Sequence, residues 1–390
     1  MPAGAAVADL VAQLARRQGP LRFDQVLDVA LYHDELGFYA TGAGAGRGGD
    51  FLTSPEVGPL FGAVMARALD QWWDELGRPD PFVVMEAGAG SGALAASILA
   101  AAPTCSPALR YVLVERSAVW RERQARRLSL EPANAVLGPA PPSDPDDEPG
   151  PSRHSAIGTA GAAGGGPMVT SLPDLPAGPF DGVVLANELL DNLPFRLLER
   201  IDGGWAEVRV TADLQELLVP ADPEAGAEAD HLVAEAEVPT GARIPLQYQA
   251  RNWVRTALGV LRSGRVVVVD YADTTPSLAC RPWPDWLRTY RGHGRGGQPL
   301  SDLGQQDVTC EVAVDQLSSV HWPACNDSQA DFLADHGIGE LVDEARRQWQ
   351  ERASVGDLSA MVARSRVSEA AALTAPAGLG SFRVVEWRVP

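Results

Sequence analysis

The chain contains no lysine: all 32 of its basic residues are arginine. A genome rich in G and C replaces lysine by arginine for reasons unconnected with function, but the chemical exclusions stand whatever the cause. A phosphate-binding P-loop needs its lysine, and Schiff-base or pyridoxal chemistry needs an amine nucleophile. Short-chain dehydrogenases of the Tyr-x-x-x-Lys type are excluded in the same way. Cysteine is scarce too. Cys105, Cys280, Cys310 and Cys325 are scattered, with no close pair of metal-ligand spacing, so no metal site is expected and the reading is a reduced, cytoplasmic protein. Long apolar runs are also missing, which argues against membrane insertion. The opening Met1-Pro2-Ala3-Gly4-Ala5 has no basic run and meets Asp9 early, so it does not read as a signal peptide.

Acid is what the chain has in excess. Fifty-one carboxylates against 32 arginines leave a formal charge of −19 over 390 residues. That balance disfavours a nonspecific nucleic-acid binder, which would need a basic face, and suits a basic partner or simply a soluble surface.

The hydrophobic pattern is that of an α/β protein. Residues 7–17 and 23–39 read as N-terminal helices. After a glycine-rich loop, Ser54-Pro55-Glu56 has the form of an N-cap, a first-turn proline and an acidic first turn, opening a helix to about Trp73. Strand-like runs at 82–86, 111–115, 181–186 and 265–270 alternate with helices at 93–101 and 118–128, which predicts a doubly wound, mostly parallel sheet. Residues 131–167 are rich in Pro, Gly, Ala and Ser and read as a disordered insertion. A hairpin around Asp202-Gly203-Gly204 leads into an acidic insertion, the two spanning 197–245. Residues 329–375 read as helical, and 382–389 as a closing strand. Trp283 and Trp286, in a proline-rich loop, are candidates for a docking surface.

The chemistry concentrates at Glu86-Ala87-Gly88-Ala89-Gly90-Ser91-Gly92, where a strand gives way to a helix. Glycine there lets a ligand approach the backbone, and the helix start offers free N–H groups. Glu115 ends the next strand, where a carboxylate can accept from both hydroxyls of a ribose. Two cofactors fit this turn. Gly88-x-Gly90-x-x-Ala93 satisfies the dinucleotide fingerprint, and the same residues, with Glu86 toward the methionine end, suit S-adenosylmethionine.

Several segments together resemble the MidA-like methyltransferase family, whose mitochondrial members are complex I assembly factors. They are Ala30-Leu31-Tyr32-His33-Asp34-Glu35-Leu36-Gly37-Phe38-Tyr39 and Gly46-Arg47-Gly48-Gly49-Asp50-Phe51-Leu52-Thr53-Ser54-Pro55-Glu56-Val57 near the start. Asn187-Glu188-Leu189-Leu190-Asp191-Asn192-Leu193-Pro194, Asp270-Tyr271, Arg288-Thr289-Tyr290-Arg291-Gly292-His293 and Asp307-Val308-Thr309 follow in order. The resemblance implies a class I, seven-stranded methyltransferase fold using S-adenosyl-L-methionine. Its division would be an N-terminal helical cap and cofactor-covering loop over 1–60 and a methyltransferase domain over 61–390. In the mitochondrial members the activity is symmetric dimethylation of an arginine on a respiratory complex I subunit. By position, Gly88, Gly90 and Gly92 would hold the methionine moiety and Glu115 the ribose. Asp50, Thr53 and Ser54 would belong to the covering loop. Ala272 stands where the family usually has glycine, and Glu311 where it commonly has histidine.

A guanidinium is protonated and a poor nucleophile, so its methylation calls for carboxylates that grip it and concentrate electron density on one nitrogen. Glu188, at the end of the fourth strand, and Asp191, on the same face if the segment is helical, are the candidates. Asn187 would hold a cofactor or substrate amide, or cap the helix expected at 189–193. His293, on a glycine-rich loop, is the candidate base; His33, within the N-terminal motif, more simply fixes the cap. The same scaffold would also serve a small-molecule methyltransferase or a non-catalytic assembly chaperone.

Overall fold

The computed structural model describes residues 3–41, 53–138, 164–292, 294–352 and 357–390. The chain forms two compact units: residues 52–187, 256–269 and 323–390 make one, and 1–51, 188–255 and 270–322 the other. This differs from the expected boundary at residue 60.

The first unit is built on a seven-stranded sheet. Its strands are β1 (Phe82–Ala87), β2 (Leu109–Val114), β3 (Met168–Leu172), β4 (Phe180–Asn187), β5 (Leu261–Asp270), β6 (Cys325–Ser328) and β7 (Arg383–Val389). Their spatial order is 3-2-1-4-5-7-6. The β3–β2–β1–β4–β5 block is parallel throughout, and β6 runs antiparallel to β7. This is the class I methyltransferase sheet that the sequence led us to expect. β1 and β2 are buried at every residue, as interior strands of a parallel sheet are, which is why they read as largely apolar runs. Between β1 and β4 the winding reverses, and ligands of open α/β sheets bind outside the carboxyl ends of such a pair. Ala87 lies opposite Ala186, so Gly88 and Asn187 emerge at one level of that crevice.

Two local expectations are corrected. The helix expected to run from Ser54 is broken: a single turn, Ser54–Val57, ends at Gly58 and Pro59–Glu75 starts afresh. The N-cap position is Thr53, not Ser54. The 131–167 insertion also carries structure at its start, since Ala133–Leu137 is helical and buries Val136 and Leu137. Its residues 139–163 lie outside the described residues.

In the second unit the N-terminal helices Ala3–Gln18 and Phe23–Tyr32 share a core with the hairpin that follows β4 in the chain. Val7, Val11, Phe23, Leu27 and Leu31 pack with Phe195, Leu197, Val208 and Val210. The hairpin strands Arg196–Ile201 and Gly204–Val210 join through Asp202-Gly203, with Gly203 at φ +84 as such a two-residue turn requires. Trp286 is fully buried in the same core and Trp283 packs against it, with the Arg243 guanidinium over its ring, so that loop is structural and not the docking surface expected.

Candidate active site

In the sheet unit, the turn from β1 into the helix Ala93–Ala100 is made by three left-handed glycines, Gly88 (φ +69), Gly90 (φ +49) and Gly92 (φ +75). A Cβ on Gly90 would meet nothing closer than the Gly88 carbonyl oxygen at 4.0 Å, so the backbone there faces an open cradle that a side chain would fill. Glu115 follows β2. Its Oε2 accepts the Gly90 N–H (2.9 Å) and its Oε1 the Ser117 N–H (2.9 Å). Each oxygen keeps a lone pair for a ribose hydroxyl. Burial raises the proton affinity of Glu115, and the two backbone bonds pull it back. The donor set and the open cradle therefore fit an adenosyl cofactor.

The turn has a support that the sequence reading missed. Gln124 is fully buried; its Nε2 donates to the Gly90 carbonyl (2.8 Å), and its Oε1 accepts from Ser171 Oγ (2.6 Å). The available signal was a single uncharged polar side chain, four residues on from Trp120, in an arginine-rich helix, 118–127. Glu86 lies beneath the turn, where its carboxylate accepts from the Tyr111 hydroxyl (2.7 Å) and the Ala95 N–H; burial pushes its pKa up to about 7. Asn187 closes β4 opposite Val269. Ser54 Oγ donates to Gln329 Oε1 (2.9 Å), and Gln329 Nε2 donates to the Leu373 carbonyl, so Ser54 ties its short helix to the C-terminal segment. Asp50 lies outside the described residues.

The carboxylates gather in the other unit, directly after β4. Glu188 takes φ +50, a left-handed conformation uncommon for a residue with a Cβ and often found at functional positions. A single 3-10 turn, Leu190–Asn192, follows, so Glu188 and Asp191 do not share the helical face expected. Asp270 holds this turn. Its Oδ2 accepts from the N–H groups of Leu190 (2.9 Å) and Asp191 (3.3 Å), and its Oδ1 from that of Tyr271 (2.9 Å). Asp307, also buried, accepts from the Tyr39 hydroxyl (2.9 Å) and from Asn192 Nδ2 (3.2 Å). The Tyr32 hydroxyl donates to the Asn192 carbonyl (3.2 Å), and the two tyrosine rings stack at 5.5 Å.

Asp191 is only 4% exposed, and its Oδ1 has no hydrogen-bond partner among the described residues. Burial, then the neighbouring charges of Asp270, Asp307 and Glu188, push its pKa well above the carboxylate range. Burial raises Asp270 as well, against the pull of four backbone N–H groups. His33 Nδ1 accepts from the Glu35 and Leu36 N–H groups and so fixes a turn. Glu311 is paired with Arg281 (2.5 Å) and Arg288 (2.9 Å). His293 lies outside the described residues. Among the described residues no group of histidine, cysteine and carboxylate side chains could hold a metal ion.

Fold order, glycine turn and ribose-type acid define an S-adenosylmethionine-dependent methyltransferase. The chain belongs to the family described as "Putative S-adenosyl-L-methionine-dependent methyltransferase", which matches residues 64–330. It is 26% identical over 309 residues to "Protein arginine methyltransferase NDUFAF7 homolog, mitochondrial" of Drosophila melanogaster, covering 75% of this chain and 65% of that protein. It is 25% identical over 310 residues to the NDUFAF7 protein arginine methyltransferase of Danio rerio, covering 75% and 67%. The chain thus spans about two thirds of the length of the curated relatives it matches. A Burkholderia thailandensis protein crystallised with S-adenosyl-homocysteine superposes with a TM-score of 0.76 at 26% identity, over 99% of this chain and 92% of that one. The cofactor is S-adenosyl-L-methionine. The cytoplasmic location expected from the cysteines is overturned by these relatives, which are named as mitochondrial. Free cysteines report a reducing environment, not one particular compartment.

Proposed function

We propose that the protein methylates an arginine guanidinium on a protein substrate, of the complex I subunit type that the family resemblance implies. The observation that carries this reading is the buried carboxylate group after β4, with its open Asp191 Oδ1 and left-handed Glu188. A cation with several N–H donors satisfies such a group, and a guanidinium presents them in a planar fork. The printed names of the animal relatives support the same substrate class.

When bound, the cofactor supplies an electrophilic methyl group on a sulfonium. The chain's task is alignment and charge. Gly88, Gly90 and Gly92 would cradle the cofactor, Glu115 accept from its ribose, and Asp50, Thr53 and Ser54 belong to the covering segment. Glu86 would support the turn from below, and Asn187 orient an amide or carboxylate at the crevice. Glu188 and Asp191 would accept guanidinium N–H groups, leaving one nitrogen free for attack. The proton that nitrogen loses goes to Asp191, whose affinity for it is raised, or to His293. The pH–rate profiles of Asp191→Asn and His293→Ala tell the two apart, since only loss of the true acceptor removes the basic-limb dependence.

The test is transfer of labelled methyl to proteins of a strain lacking the gene. Wild-type protein is expected to label arginine and Glu188→Gln to label at least about a hundredfold less. Undiminished labelling by Glu188→Gln, or label on no arginine, overturns the reading.

A further inference from the structure

The acidic insertion carries a strand with one unused edge. Glu216–Pro220 pairs antiparallel with Gly204–Val210 and with no other strand among the described residues. The register sets Leu217 opposite Arg209 and Val219 opposite Glu207, and the flanking bonds run from Thr211 N–H to Gln215 and from Ala221 N–H to Trp205. Bonding residues alternate in an antiparallel pair, so 215, 217, 219 and 221 face the neighbour, and Glu216, Leu218 and Pro220 turn their backbone polar groups outward. Edges not meant to pair are usually covered or carry charge. Here two adjacent leucines, Leu217 and Leu218, are 40% and 42% exposed, one on each face of the strand.

The surrounding charge is one-sided. Between Arg209 and Arg243 the sequence has eight carboxylates and no arginine or lysine. Arg243, Arg196, Arg251 and Arg200 reach in to neutralise Glu216, Asp222, Glu228 and Asp230. Asp213, Glu224, Glu235 and Glu237 are exposed and form no ion pair among the described residues.

We propose that the outer edge of Glu216–Pro220 docks an extended cationic segment of the protein substrate as an added strand, its backbone on the edge and its basic side chains toward the acidic insertion. Strand addition supplies main-chain bonds, alternate side chains supply selectivity, and the unneutralised carboxylates select basic residues. A second copy of this chain is disfavoured at the same edge, because pairing would bring two acidic insertions together. Pro220 lacks an N–H and limits the added strand to a few residues. This deepens the proposed protein-substrate reading by naming where the substrate is gripped away from the methylated arginine.

The test uses a capped peptide of about eight residues alternating lysine and valine, and a second peptide of the same sequence with alternate backbone amides N-methylated. The peptides hold no arginine, so their binding does not depend on methyl transfer, and the two proposals fail separately. By calorimetry on the full chain, the unmodified peptide is expected to bind about tenfold tighter than the N-methylated one. Converting Asp213, Glu224, Glu235 and Glu237 to glutamine is expected to weaken it by about tenfold or more. Converting the exposed Glu122, Asp343, Glu344 and Glu351 of the sheet unit instead is expected to change little. Equal binding of both peptides, or equal losses in the two variants, overturns the docking edge.

Discussion

Glu86 shows how much a single residue's meaning depends on what lies around it. On the sequence it is an acid beside a glycine turn, suited to facing a ligand. In the fold it is buried under that turn against Tyr111, with a pKa of about 7 in place of the ordinary carboxylate value. The native state therefore holds a proton that the unfolded chain releases near pH 4.3, and the stability associated with it is lost as pH rises through about 7. Glu86→Gln keeps an acceptor for the Tyr111 hydroxyl and cannot ionise. Its thermal midpoint is expected to gain on wild type between pH 5 and pH 8, by on the order of 3 kcal/mol in unfolding free energy; a difference constant with pH would contradict this. Asp270 offers a second check. Asp270→Ala strips the N–H groups of Leu190, Asp191 and Tyr271 of their acceptor and is expected to cost at least about 1–3 kcal/mol in urea unfolding, with loss of methyl transfer. Asp270→Asn retains an acceptor oxygen and is expected to recover most of the stability. That Glu115 sits beside the turn of Gly88, Gly90 and Gly92 was legible, because each lies by local spacing at the end of a strand and the two strands are neighbours. Gln124 was not, because its partners, Gly90 and Ser171, come from elements distant in the chain.

At the scale of elements, legibility followed burial on both faces. β1, β2, β4 and β5 are central strands, and their apolar runs announced them. β3 escaped notice because Met168–Leu172 is short, ends in partly exposed residues and follows the low-complexity insertion. The start at Ser54 was misplaced because proline and acid mark a helix opening without saying how soon Gly58 breaks it. Trp286 looked like a surface anchor from its proline-rich setting; its burial is set by residues from both ends of the unit. Trp286→Ala is accordingly expected to destabilise by about 3–5 kcal/mol by denaturant titration. For the glycine turn, Gly90→Val forces a branched side chain into a left-handed position and fills the cradle. Cofactor affinity by calorimetry is expected to fall at least about a hundredfold, with a fold cost of only about 1–2 kcal/mol; unchanged affinity would remove Gly90 from the site.

For the whole molecule, a linear boundary at residue 60 was the wrong kind of division. The polypeptide leaves the sheet after β4 and again after β5, and the segments inserted there share their core with the N-terminal helices. Hydrophobic periodicity shows that each segment buries a face but not which partner buries it. The lysine-free, acidic composition excluded several chemistries without locating any site. The carboxylates for which a role is proposed are few: Glu86 and Glu115 in the sheet unit, Glu188, Asp191 and Asp270 in the other, and those of the acidic insertion. The central claim is methylation of a protein arginine, and the arginine methylome of a strain lacking the gene tests it most directly. The account predicts at least one arginine whose methylation disappears in that strain, returns with the wild-type gene and does not return with Glu188→Gln. An arginine methylome identical in the presence and absence of the gene would contradict it.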